Sequence, residues 1–308
     1  MRKQVNDFLR KSLTNYKKEI IMKVGIQMFS VKQEMAKDPV ATMRKVAEIG
    51  YKYWETCELF GAECDYNYGL CMPADEGRAL IDELGVKIIG CHISNDCMAD
   101  NATLEKFLDY QAAVGCENPG LAMDFFPDMD YIKNFAANLN RVGQMCKDRG
   151  MGFHYHNHFH EFQKIDGKYV IDWILELTDP MLVDFELDTF WAMRGGVDPV
   201  AMIERYKDRL VMLHQKDFAR DADQQINLFD GVVDPNVPVT MDDFRKSSMN
   251  CFTEVGTGIM DIQGIIDAAN NEGIKYITLE QDYTKRGEFE SIAMSMDAFK
   301  KYKGVEWD

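Results

Sequence analysis

Met181-Leu182-Val183-Asp184-Phe185-Glu186-Leu187-Asp188-Thr189 is the stretch that decides the fold. Side chains alternate along a strand, so Asp184, Glu186 and Asp188 share one face and Val183, Phe185 and Leu187 the other. The apolar face has to pack on helices. Three acids on the opposite face then point into an interior, as they do where a sheet closes on itself. The next strand-like runs repeat the pattern. Met212, His214 and Lys216 oppose Val211 and Leu213, while Tyr276, Thr278, Glu280 and Asp282 oppose Ile277 and Leu279. Before the acidic run, His154, His156 and His158 share a face, and earlier still His92 lies opposite Ile89, Cys91 and Ile93.

Working outward, eight strand-like segments are expected at 23–31, 51–57, 87–94, 121–126, 152–158, 181–189, 210–217 and 276–282. Each is followed by a helical pattern, at 39–49, 74–84, 104–114, 129–149, 172–177, 199–208, 262–271 and 290–302. Gly50, Gly85, Gly150 and Gly273 stand just past four of these helices, where glycine supplies the left-handed cap. Eight β-α units in one chain of 308 residues predict a single-domain α/β (β/α)8 TIM barrel over 22–308. A doubly wound sheet is the competitor, but it calls for a Gly-rich phosphate loop after an early strand, and the sequence has none. Residues 1–21 repeat apolar positions at helical spacing among many Lys and Arg, which predicts an N-terminal helical extension. The seventh strand is separated from its helix by a polar excursion, 219–252, long enough to predict a functional rim or lid.

A formal charge of −16 argues against nucleic acid as a partner. No apolar run has the length of a membrane span. Eight cysteines without a CxxC pair, and no signal peptide, lead to the expectation of reduced thiols and a cytoplasmic location. The expected partner is a small molecule, with homo-oligomerisation left open.

Four of the six histidines fall between 154 and 160, in Phe153-His154-Tyr155-His156-Asn157-His158-Phe159-His160-Glu161-Phe162. Imidazole is the commonest metal ligand and the usual acid/base near neutral pH; the plain alternative is a strand of core histidines satisfied by hydrogen bonds. Parity puts Asp188, His214 and Glu280 at the C-terminal ends of three successive strands, where barrel active sites are built. Two carboxylates and an imidazole around one point require a cation to join them, and an O/N set of this kind suits Mn²⁺, Mg²⁺, Co²⁺ or Zn²⁺. Each residue alone is equally explained by a rim ion pair, such as Asp188 with Arg194 or Arg220.

Five short motifs resemble a known family. They are Tyr155-His156-Asn157-His158 with Glu161-Phe162; Glu186-Leu187-Asp188-Thr189-Phe190-Trp191 before Gly196-Val197-Asp198-Pro199; His214-Gln215-Lys216-Asp217; Glu254-Val255-Gly256-Thr257-Gly258; and Leu279-Glu280-Gln281-Asp282. In this order the chain resembles the xylose isomerase-like sugar isomerase/epimerase superfamily over 23–304. The resemblance implies one divalent metal held by a glutamate, an aspartate, a histidine and a second glutamate. Asp188, His214 and Glu280 match the last three. The first departs: many members carry Glu-Pro-x-Asn on the fifth strand, and Tyr155-His156-Asn157-His158 stands here instead. Glu161 is the expected fourth ligand, with His158 or His156 next in order. The implied activity is isomerisation or epimerisation of a keto-sugar through an enediolate, with Glu280 and His156, His158 or Glu161 moving protons and Lys216 steadying the oxyanion. Trp191, Arg220 and His92 are expected to bind substrate, beside Phe29 as an apolar wall. The alternative is a metal-dependent dehydratase or lyase on a keto-sugar or 3-keto-glycoside, in which a histidine protonates the leaving group.

Overall fold

Eight parallel strands pair in chain order, and the last returns to the first. The computed structural model describes residues 21–58 and 67–307. The strands are β1 (Met22–Gln27), β2 (Tyr53–Cys57), β3 (Lys87–Ile93), β4 (Pro119–Leu121), β5 (His154–His156), β6 (Asp184–Asp188), β7 (Leu210–Gln215) and β8 (Tyr276–Leu279). Closure is made by Lys23 to Ile26 pairing with Tyr276 to Leu279. The outer helices are α1 (Pro39–Ile49), α2 (Ala74–Leu84), α3 (Asn101–Val114), α4 (Met129–Lys147), α5 (Val170–Leu177), α6 (Pro199–Tyr206), α7 (Ile262–Glu272) and α8 (Glu288–Phe299). This is the expected (β/α)8 barrel. The expected helix over 1–21 lies outside the described residues, save Ile21.

Local signals set the helix ends. Asp38 caps α1 by accepting the Ala41 N–H, with Pro39 in the first turn. Gly85 and Gly273 end α2 and α7 in the left-handed conformation. Several strands are shorter than expected. The first turns at Met28 into a 3₁₀ segment because the Gln27 side chain accepts the Phe29 N–H. Beyond His156 the strand is replaced by a side-chain bridge, in which Asn157 Oδ1 accepts the Asp188 N–H at 3.0 Å.

The barrel interior is layered. Its N-terminal end is plugged by Ile89, Met212 and Tyr276, with Tyr53 and Val211 against them. Ile89 and Val211 depart from the alternation expected for helix-facing residues. Each is the extra residue of an irregularity, β3 against β2 and β7 against β6, and the bulge turns it toward the plug. Above the plug the interior turns polar. Gln27, Glu55, His92, His154, Glu186 and His214 are all at most 7% exposed. The helix-facing side carries the main apolar core, including Trp54, Phe185, Leu187, Leu213, Ile277 and Leu279.

The excursion after β7 is structured. Asp217–Phe218 and Phe252–Thr253 form a short antiparallel ladder, and Met241–Phe244 is a helical turn closed by a Thr240/Asp243 capping box. Leu228, Val233, Val239 and Phe252 pack with Phe159, Phe190 and Trp191 into a second cluster over the rim. Asp217 anchors the return, accepting backbone N–H groups of Phe218, Gly256, Gly258 and Met260. One expectation about thiols is corrected. Cys71 is disulfide-bonded, while Cys57, Cys91, Cys97, Cys116, Cys146 and Cys251 are free and buried. No described helix is long and apolar enough to cross a membrane.

Candidate metal centre and pocket

The C-terminal ends of β5 to β8 bring His156, Asp188, His214 and Glu280 together, one donor atom of each lying within 4.8 Å of the others. Three of them are oriented from behind. Asp188 ends β6 and also caps the short helix Thr189–Arg194, its Oδ1 accepting the Trp191 N–H at 2.8 Å; Oδ2 is left facing the centre. His156 places Nδ1 3.0 Å from the Ala122 carbonyl, so that nitrogen carries the proton and Nε2 is left without a hydrogen-bond partner, 3.5 Å from Asp188 Oδ2. His214 has Nδ1 2.9 Å from Glu280 Oε2, while its Nε2 faces inward to Glu55 at 2.5 Å and Glu186 at 3.0 Å.

Lys216 lies among these donors. Its ammonium donates to Asp188 Oδ2 and Glu280 Oε2 and lies 3.8 Å from Asp282 Oδ2, with the side chain fully buried. Burial opposes ionisation of Asp188 and Glu280. Lys216 and the neighbouring imidazoles outweigh it and hold both carboxyls below their usual range. Burial, opposed by Lys216 and reinforced by Glu280 and Asp188, pushes Asp282 up to about 7. His158 is driven the other way by burial and by the adjacent His156, His160 and Lys216, so its imidazole is neutral. Its Nδ1 has no hydrogen-bond partner.

A cavity of about 600 Å³ opens above this floor. Phe29, Trp191, Phe244, Met249 and Phe252 wall it, and His92, His156, His158, Glu280 and Asp282 supply its polar atoms. The Trp191 ring lies 5.4 Å from both His158 and Phe244, so the excursion after β7 builds one wall of the pocket.

Among the residues singled out from sequence, His156, Asp188, His214, Lys216 and Glu280 converge, and His92, His158 and Trp191 line the cavity. Two do not join them. Glu161 follows β5 in a 3₁₀ turn on the far side, where its Oε1 accepts the Tyr155 hydroxyl at 2.5 Å and its Oε2 the His158 N–H at 2.9 Å. His156 stands with Asp188, His214 and Glu280 where Glu161 was expected. Arg220 is exposed and outside the cavity. Three residues escaped the sequence reading as site members: Asp282 beside Lys216, and Glu55 and Glu186 behind His214. The same parity that singled out Glu280 marks all three, since Glu55 sits between Trp54 and Thr56 in a buried strand.

A family model described as xylose isomerase-like TIM barrel matches residues 43–302. The chain is 28% identical over 204 residues to an inosose dehydratase of Geobacillus kaustophilus, covering 58% of this chain and 62% of that one. An inosose dehydratase of Clostridium tetani is 29% identical over 153 residues, 49% of this chain and 47% of that one. The chain thus spans about half to three-fifths of the length of these curated relatives. In fold it is similar to a sugar phosphate isomerase/epimerase from Parabacteroides distasonis, with TM-score 0.70, 23% identity, and 94% and 97% of the two chains covered. The chain belongs to the xylose isomerase-like TIM barrel family.

Proposed function

We propose that the chain removes the proton α to the carbonyl of a polyhydroxylated ketone and expels a β-hydroxyl or other β-substituent, as a metal-assisted dehydratase or lyase. The observation that carries this reading is the convergence of His156, Asp188, His214 and Glu280 on the floor of a cavity walled by aromatic rings. The donor set fits a divalent cation: two imidazoles and two carboxylates, all buried, with the His156 Nε2 lone pair free. A cation held there supplies Lewis acidity, which lowers the pKa of the carbon acid and stabilises enediolate charge.

The remaining work falls to the chain's own side chains. His158, neutral and with an unpartnered ring nitrogen, is placed to take a proton from substrate carbon. Asp282, whose carboxyl burial pushes up to about 7, is placed to give one to the departing oxygen. The Lys216 ammonium offers fixed positive charge where an oxyanion develops. Trp191, Phe244 and Phe29 cover the apolar face of a ring and exclude water.

Elimination is preferred over a mass-neutral change because the curated relatives named above are, by their names, dehydratases of an inosose. Isomerisation or epimerisation is the second reading, supported by two proton carriers, His158 and Asp282, lining one cavity. The test is incubation of the metal-loaded protein in D₂O with keto-inositols and 3-keto-glycosides, with products read by mass. Loss of water or of an aglycone is expected. Deuterium uptake at carbon without loss of water or aglycone would move the assignment to epimerisation, and absence of both exchange and elimination would overturn both.

A further inference from the structure

One layer below the pocket floor lies a second donor set that the proposed reaction does not consume. Glu55 on β2, His92 on β3, Glu186 on β6 and His214 on β7 each present one donor atom within 4.8 Å of the others. Imidazole and carboxylate alternate around the ring. His92 Nε2 is 3.1 Å from Glu55 Oε1 and 2.8 Å from Glu186 Oε2, and His214 Nε2 is 2.5 Å from Glu55 Oε2 and 3.0 Å from Glu186 Oε1. His154 Nε2 stands 3.4 Å and 3.3 Å from the same two carboxylates.

Two buried carboxylates need two positive charges, since taking an uncompensated ion out of water costs several kcal/mol even after relaxation (roughly, per ion). No described lysine or arginine forms an ion pair with Glu55 or Glu186. The balance therefore comes from two added protons on the imidazoles or from one divalent cation. Hydrogen-bond accounting separates the two. Glu55 Oε1, Glu186 Oε1 and His154 Nε2 have no hydrogen-bond partner although these side chains are fully buried. A protonated network leaves those atoms misaligned, at about 1–3 kcal/mol for each unsatisfied group; a cation takes lone pairs without needing an N–H aimed at each. The backbone also makes way for the ring. A Cβ on Gly120 would lie 2.1 Å from His154 Nε2, and one on Gly90 would lie 2.8 Å from Glu55 Oε1.

We propose that Glu55, His92, Glu186 and His214 hold a second divalent cation beneath the first. Two imidazoles and two carboxylates in a buried set are a four-coordinate donor group suited to Zn²⁺, Co²⁺ or Mn²⁺. His214 is the hinge between the sites, with Nδ1 toward Glu280 and Nε2 toward Glu55 and Glu186. With both ions present, each ring nitrogen of His214 would face one of them. The lower ion has a structural role: it neutralises the barrel interior and fixes the ring that serves the upper site.

The test is elemental analysis of the full chain after saturation with Mn²⁺ or Zn²⁺ and removal of free metal. Two ions per chain are expected in the wild type. Asp188→Asn should keep only the lower ion, Glu55→Gln only the upper, and His214→Asn should lose both. Anomalous diffraction from wild-type crystals soaked in Mn²⁺, with peaks on the two sides of His214, gives the same answer without relying on a variant's folding. A single ion on the Glu280 side, retained by Glu55→Gln, would overturn the proposal and leave the layer as a protonated ion-pair network. A single ion on the Glu55 side would support it while removing the metal from the proposed reaction.

Discussion

Replacing Lys216 by Met separates the cation-binding reading from an ordinary buried salt bridge. The ammonium contacts both Asp188 and Glu280 in a fully buried position, so it neutralises the carboxylates that a divalent ion would claim. In the metal-free protein, removing one partner of such a group leaves uncompensated buried charge, at about 3–5 kcal/mol. For a chain somewhat larger than 250 residues, at roughly 2 °C of melting temperature per kcal/mol, the expected fall in Tm is about 6–10 °C. With Mn²⁺ or Zn²⁺ at saturation the ion supplies the missing charge, and most of that deficit should vanish. The ammonium no longer competes, so metal affinity should rise by about tenfold or more, which corresponds to recovering only ~1.4 kcal/mol of the pair energy. Differential scanning fluorimetry across a metal titration, with isothermal calorimetry for Kd, measures both. An equal Tm loss with and without metal, together with an unchanged Kd, would refute the reasoning, because Lys216 would then be a structural counter-ion with no bearing on the centre.

Glu280→Gln keeps the size of the side chain and its contact with Lys216 but removes a charged donor; turnover should drop by about 10²–10⁴-fold with the far-UV circular dichroism unchanged. Asp282 gives a pH prediction. Its folded carboxyl is raised to about 7 from an ordinary value of 3.8, so between those values the folded state binds the proton more tightly than the unfolded one. The metal-free protein should therefore lose stability as pH rises from about 4 to about 7, and Asp282→Asn should flatten that part of the Tm-against-pH curve; identical slopes would discard the assignment. Asp217→Ala strips four backbone N–H groups of their acceptor and should destabilise by about 3 kcal/mol in urea unfolding, with the loop after β7 exchanging amide hydrogens faster.

The parts of this architecture legible in the sequence are those governed by strict alternation. Glu186 and Asp188, with His214 and Glu280, point inward as the two-residue period dictates, because β6, β7 and β8 are flanked by apolar residues that had to face the helices. The same rule failed at Ile89 and Val211, since a bulge is decided by pairing with the neighbouring strand and leaves no mark in the local pattern. It also failed beyond His156. A strand continued through His158 puts Glu161 near the mouth, but the Asn157 side chain ends the pairing and the following turn carries Glu161 to Tyr155 instead. Glu55 is a different case. Its strand was recognised and its parity was readable, yet an acid far from the other candidates in sequence gained meaning only when the barrel put β2 across from β6 and β7. The excursion over 219–252 looked polar, and its order comes from a few aromatic and aliphatic residues that the composition of the segment obscures.

Closure of the barrel by β1 against β8 has a kinetic consequence. Tyr276 and its neighbours pair with Lys23 and its neighbours, and just beyond them the Gln281 N–H reaches the Ser30 hydroxyl and Lys32 reaches the Asp282 carbonyl, contacts spanning some 250 positions of chain. Contacts this distant in sequence form late, since the entropy of joining the ends is paid before they bring any return. Glu280 arrives with that last strand. A nascent or partly folded chain thus has three of the four upper donors in hand but lacks the one delivered by closure, so if the centre holds the proposed ion, its tight capture would report that the two ends of the chain have met.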